Sequence, residues 1–209
     1  MSIQAEEPIL VLASQSSARR SLLQRAGLRF ETLPAAVDEA ALKESAQAEG
    51  ISPEDTAIML AEAKAERIAH RLRDALVIGC DQLLVCQMED KSLRWFDKPA
   101  DKAAARAQLL ALRGRTHRLV TATVAWRGGA RIWQDVTQPR LTMRDFSEEF
   151  CDAYLAAEGE AILGSVGAYR LEAMGVHLFS RVEGEHSAIL GLPMLPLLGF
   201  LRQHGVLRG

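Results

Sequence analysis

The sequence predicts an α/β fold, a mixed and largely central β-sheet layered by helices. Three observations carry that expectation. Short continuous apolar runs, near residues 8–13 and 75–86, read as strands buried on both faces. Stretches that open on Ser, Pro or Asp and carry helical apolar spacing alternate with them. A Gly128-Gly129 pair joins two further apolar stretches as a hairpin, which adds antiparallel strands to the sheet.

The elements follow in order. Residues 8–13 (P-I-L-V-L-A) form the first strand. It runs into Ser14-Gln15-Ser16-Ser17, a cluster of good N-caps, so a helix is expected over residues 18–25, closed by Gly27. Ser52-Pro53-Glu54-Asp55 opens a second helix, expected to reach residue 72. Ser52 is its N-cap, Pro53 its first helical residue, and Asp55 takes the capping-box position. Residues 75–79 and 83–86 read as central strand. Asp101 caps a third helix through Leu112, ended by Gly114. Residues 117–126 and 131–141 read as two strands about the glycine pair. Ser147 opens a fourth helix, residues 176–182 a strand, and residues 193–204 a terminal helix. No repeat or low-complexity linker divides the chain. Its 209 residues suit one well-buried domain over 1–209, with only a weak boundary signal near the hairpin.

Composition narrows the function. Hydrophobic residues make up 48% and charged ones 25%, which is ordinary for a globular protein. A net charge of -2 gives no global basic field to hold nucleic acid or a membrane surface. Cys80, Cys86 and Cys151 are odd in number and lack C-x-x-C spacing, so a reducing cytoplasm is expected rather than a disulfide framework or zinc site. The acidic opening residues do not read as a signal peptide, and no apolar run reaches the roughly 18 residues of a membrane span.

Three anomalies carry chemistry. Asp81 interrupts V-I-G-C-D-Q-L-L-V-C, an otherwise apolar strand. A buried carboxylate costs several kcal/mol unless it is paired or metal-bound. Asp81 is therefore either a metal ligand or general base facing a cleft, or a strand-end residue at a turn hinged on Gly79. Lys64 falls on the apolar stripe Ala57, Leu60, Ala61, Ile68 and Leu72. It either meets an anion or snorkels from the edge of the stripe. Ser14 to Arg20 join a strand end to a helix start, where free N–H groups attract anions. Arg19 and Arg20 in that first turn oppose the helix dipole, either because an anion sits there or because they point to solvent. Asp38-Glu39 and Asp97-Lys98-Pro99 are charged loop spots that say little alone. Together, such carboxylates, lysines and arginines suit a magnesium–triphosphate complex. No Walker-type or dinucleotide glycine motif is present.

These spots, in this order, resemble the Maf family of nucleoside triphosphate pyrophosphatases over nearly the whole chain. The matching pieces are Leu12-Ala13-Ser14-x-Ser16-x-x-Arg19, Val37-Asp38-Glu39, Ala61-x-x-Lys64-Ala65, Ile78-Gly79-x-Asp81 and Lys98-Pro99. Leu112-x-Gly114-Arg115-x-His117 with Thr121, Gly167-Ala168-Tyr169 and Gly191-Leu192-Pro193 complete them. Each is weak alone, and the ordered set is specific. The resemblance implies a Maf/ITPase-like fold and an enzyme that cuts a nucleotide between its α and β phosphates with a divalent cation, Mg2+ or Mn2+. It implies that Asp81 activates water, directly or through metal, and that Ser14, Arg19, Lys64 and Lys98 hold the triphosphate. Glu39 would assist with metal or water. A homodimer is also implied.

The same resemblance addresses the base. Gln82 after Asp81, and Glu172 at the family's discriminating Gln or Glu, match the 7-methyl-GTP branch. A carboxylate suits a guanine N1–H and amino group, or a methylated cationic ring. Ser17 stands where the family has proline, and Ala18 where an Arg or aromatic is expected, which removes a stacking wall for the base. The alternatives are a dTTP/UTP or modified-nucleotide pyrophosphatase, and a non-catalytic nucleotide-binding inhibitor of cell division.

Overall fold

A computed structural model describes residues 3–208. From the N-terminus the elements are β1 (Leu10–Leu12), α1 (Ser17–Arg25), β2 (Glu31–Thr32), α2 (Glu39–Ala48) and α3 (Pro53–Ala69). Next come β3 (Leu76–Gln87), β4 (Leu93–Phe96), α4 (Lys102–Leu112), β5 (Thr116–Arg127), β6 (Ala130–Thr137) and β7 (Arg140–Met143). The chain ends with α5 (Glu148–Glu158), β8 (Phe179–Glu183), α6 (His186–Ile189) and α7 (Met194–Gln203). The strands hydrogen-bond in the order β2-β1-β3-β5-β7-β8, with β4 on β3 and β6 on β5. β1 is parallel to β2 and β3. β4 runs antiparallel to β3, β6 and β7 to β5, and β8 to β7. The fold is therefore the expected mixed α/β type. Among the described residues no helix is long and apolar enough to cross a membrane.

The chain packs as two compact units. The first holds the chain through Asp81, Thr121–Thr137 and the segment from His186 on. The second holds Gln82–Val120 and Gln138–Glu185.

In the first unit, Leu10, Leu12, Leu76 and Ile78 meet Leu23 of α1 and Leu197, Phe200 and Leu201 of α7 in one buried cluster. Each large apolar side chain buried this way contributes about 1.5–3 kcal/mol. Trp133 of β6 stacks on Phe200 with ring centroids 4.8 Å apart. α3 starts as its sequence dictates, with Ser52 accepting from Asp55 N and Pro53 in the first turn. Its buried face is Ala57, Leu60, Ala61, Lys64, Ala65 and Ile68, at helical spacing. The helix stops at Ala69, so Leu72 lies beyond it and is exposed.

In the second unit, Arg106 of α4 bonds Glu148 and Asp152 of α5. His117 of β5 packs its ring near Tyr169 and Phe179. Gly167 adopts a positive φ of 77°, and a Cβ there would collide with Leu84 and the Tyr169 ring.

Several expectations need correction. The strand expected over residues 176–182 begins only at Phe179, after a short 3-10 helix over Met174–Leu178. Asp38 and Glu39 are not loop residues: Asp38 caps α2, accepting from Ala41 N, and Glu39 is its first residue. Asp38 supplies the N-cap of a short Ala-rich helix that lies mostly at the surface, with Ala46 its buried residue. The stretch 131–141 is two strands, not one. Pro139 lacks an N–H to continue a ladder, and β7 re-pairs with the start of β5, Leu141 opposite His117. Finally, β3 runs unbroken from Leu76 to Gln87, so Asp81 does not lie at a strand-end turn.

Candidate active site

Two of the anomalous residues, Lys64 and Asp81, converge with Glu39 within the first unit. Lys64 Nζ lies 2.6 Å from Asp81 Oδ1 and 2.8 Å from Glu39 Oε1. Lys64 and Asp81 are 7% and 4% exposed. Glu39 keeps 41% of its side chain in water. The inward lysine thus meets an anion and does not snorkel. Burying two opposite charges costs desolvation that only close geometry and further hydrogen bonds repay, and here one cation serves two carboxylates.

The backbone explains the meeting. Gly79, two residues before Asp81, faces α3 so closely that a Cβ would strike the Ala61 carbonyl oxygen and sit 2.8 Å from Ala65 Cβ. Small residues on both elements bring α3 down onto β3. Lys64 lies one turn along from Ala61 on the same face, which aims it at Asp81. Glu39 arrives through the Asp38 cap at the start of α2.

Asp81 Oδ2 is buried and has no hydrogen-bond partner among the described residues. An unsatisfied buried carboxylate oxygen awaits a water proton, a cation or a ligand. That observation tests the fit of a divalent ion. Among the described residues no group of three or more His, Cys, Asp or Glu could hold a metal by itself. Two carboxylates, one with a spare oxygen, nevertheless match how Mg2+ binds, through one or two carboxylates plus substrate phosphates. Asp81 and Glu39 fit such a shared ion.

Ser14 and Arg19 form a second cluster in the same unit. Leu12 of β1 pairs with Ile78 of β3, so Ser14 emerges level with Cys80. Ser14 Oγ accepts from Ser16 N and from Arg19 Nη1, each at 3.2 Å. Arg19 Nη1 also donates to the Cys80 carbonyl at 2.9 Å, and Nε to the Gly191 carbonyl at 2.7 Å. The Gly191 oxygen takes a further bond from Cys80 Sγ at 2.9 Å. Burial pushes the Cys80 thiol up, so it stays a donor. Arg19 therefore turns inward and ties the loop of Ser14, the strand of Asp81 and the turn of Gly191 together. Arg20 points outward and is exposed. Ser16, rather than a ligand, caps α1 by accepting from Arg19 N.

The other named residues stand elsewhere. Ala18 is half-buried in the first turn of α1. Lys98, Gln82 and Glu172 belong to the second unit. Lys98 is exposed between β4 and α4, beside buried Pro99. Gln82 is half-buried on β3. Glu172 is paired with Arg170, Oε1 to Nε 3.5 Å.

Sequence reasoning missed Cys80, the Gly191 carbonyl and Arg170. Cys80 reads as one more apolar strand residue, and a backbone acceptor leaves no trace in a side-chain pattern. Arg170 had a signal: an Arg two residues before a candidate specificity carboxylate.

The family model described as "Maf-like protein" matches residues 9–204. The chain is 58% identical over 198 residues to a nucleoside triphosphate pyrophosphatase of Granulibacter bethesdensis, covering 95% of this chain and 98% of that protein. It is 53% identical over 197 residues to a protein of the same name from Paramagnetospirillum magneticum, covering 94% and 99%. It is 47% identical over 201 residues to the 7-methyl-GTP pyrophosphatase of Rhizobium meliloti, covering 96% and 98%.

Proposed function

The chain belongs to the Maf-like protein family, and from that premise we propose that it is a nucleoside triphosphate pyrophosphatase acting on 7-methyl-GTP. The observation that carries the reaction is the buried Asp81, held by Lys64 on one oxygen and, among the described residues, unpartnered on the other. A group so placed is a proton acceptor for water.

The water oxygen forms a bond to the α phosphorus as its proton passes to the Asp81 carboxylate. The bond from that phosphorus to the oxygen bridging the β phosphate breaks, and pyrophosphate leaves with the electron pair. Lys64 offsets the carboxylate charge while its helix holds the pair in register. Arg19 keeps the loop of Ser14 against the strand of Asp81. Ser14 and Lys98 are proposed to contact phosphate. Asp81 and Glu39 would hold a Mg2+ or Mn2+ ion, which when bound neutralises phosphate charge.

Gln82 and Glu172 support 7-methyl-GTP, with relatives carrying that name at 47% and 48% identity. Ala18 offers no stacking surface, which favours a wider base tolerance as the second reading, with dTTP or UTP as substrate. The test is pyrophosphate release with Mg2+ or Mn2+, and with chelator, across 7-methyl-GTP, GTP, dTTP, UTP, CTP and ITP. Preference for 7-methyl-GTP is expected. Preference for a pyrimidine would overturn the base assignment and keep the reaction. No release from any substrate would overturn both.

A further inference from the structure

Glu172 does not stand alone. Arg170 lies between it and Glu158, with Nε 3.5 Å from Glu172 Oε1 and Nη1 3.4 Å from Glu158 Oε2. The Glu158 side chain is only 4% exposed, whereas those of Arg170 and Glu172 are each 34% exposed. The second Glu158 oxygen, Oε1, accepts from Met174 N at 2.9 Å. One buried carboxylate thus grips both the Arg170 side chain and the backbone just past Glu172. The turn is closed on itself as well. Ala173 N donates to the Arg170 carbonyl at 3.1 Å, and a Cβ at Gly175 would collide with the Arg170 backbone.

We propose that Arg170, anchored by buried Glu158, is a positioning residue that sets the Glu172 carboxylate for a cationic purine. This rests on the reading of Glu172 as the base-discriminating group. A lone surface Glu has many rotamers, and each one frozen on binding costs affinity. A planar guanidinium fixed at one end restricts them beforehand. Two carboxylates against one guanidinium also leave a net negative charge, and its exposed end is Glu172. That arrangement favours a ring carrying positive charge over a neutral one.

The experiment compares kcat/KM for 7-methyl-GTP and GTP in four proteins: the natural chain, Glu172→Gln, Arg170→Lys and the double variant Glu158→Gln/Arg170→Gln. The double variant keeps the net charge, replaces the ion pair with amides, and leaves no buried charge unpaired. Thermal melting confirms its fold. The preference for 7-methyl-GTP should fall about tenfold in the double variant and less in Arg170→Lys, through KM, with kcat on GTP unchanged. A collapse of preference in Glu172→Gln with the double variant unaffected would overturn the positioning role alone. No effect of Glu172→Gln would overturn the reading of Glu172, and the positioning role with it.

Discussion

Lys64 Nζ sits 2.6 Å from Asp81 Oδ1, a buried pair formed between α3 and β3. The other carboxylate oxygen has no partner among the described residues. The first prediction follows from that asymmetry. Asp81→Asn keeps the shape and an acceptor for Lys64 but no longer takes a proton. Turnover should fall by about a thousandfold or more, with nucleotide binding retained by calorimetry. Pyrophosphate release near the natural rate would remove Asp81 from the chemistry.

Stability should rank the members of the pair unequally. Lys64→Met leaves Asp81 buried without a cation, which costs about 3–5 kcal/mol. Asp81→Asn leaves Lys64 its second carboxylate, Glu39, at 2.8 Å, so it should cost less. Urea denaturation of both variants checks the order. Equal midpoints would mean that Glu39 contributes nothing to holding Lys64.

Gly79 sets the approach of the two elements. In Gly79→Ala the new methyl would strike the Ala61 carbonyl oxygen, and backbone must shift to relieve it. Overpacking of this kind costs about 1–3 kcal/mol. The shift also moves Lys64 off Asp81, so kcat should drop by at least about tenfold. A variant as stable and active as the natural chain would show that α3 has room to retreat.

Much of this arrangement is legible in the sequence. An Asp in an apolar strand and a Lys on an apolar helical stripe both announce a buried charge, because the cost of burial demands a partner. Pattern alone cannot say that the two are each other's partners. Their meeting depends on how near α3 comes to β3, and that is set by Gly79, Ala61 and Ala65 in three dimensions. The helical setting of Glu39 was illegible for a different reason, since α2 lies mostly at the surface, with Ala46 its buried residue. The inward turn of Arg19 was illegible because two of its three acceptors are backbone carbonyls.

Arg19 supplies a fourth prediction. Its guanidinium reaches Ser14 Oγ and the carbonyls of Cys80 and Gly191 from two nitrogens. A lysine has one nitrogen on a flexible stem and cannot span that set. Arg19→Lys should therefore lower the melting temperature as well as kcat/KM, although the charge is kept. Activity lost at an unchanged melting temperature would point instead to direct contact with phosphate.

His117 gives the protein a pH dependence that can be assigned to one side chain. It is 1% exposed, and burial lowers its pKa from 6.5 to about 3. Nε2 meets Tyr169 Oη at 2.9 Å, and burial holds that phenol well above its usual range, so the hydroxyl stays protonated. The folded chain therefore holds His117 neutral where the unfolded chain would protonate it. Its contribution is complete above the unfolded pKa of about 6.5. Between there and about 3 the unfolded state binds the extra proton, and stability falls as pH falls. His117→Gln preserves a bond to Tyr169 and removes the titration. It should be less stable than the natural chain at pH 7.5, by about 1–3 kcal/mol. The gap should close by about 2 kcal/mol at pH 5. Chemical denaturation of both proteins from pH 5 to 8 measures the two curves. If they run parallel, His117 takes up its proton in the folded chain as readily as in the unfolded one.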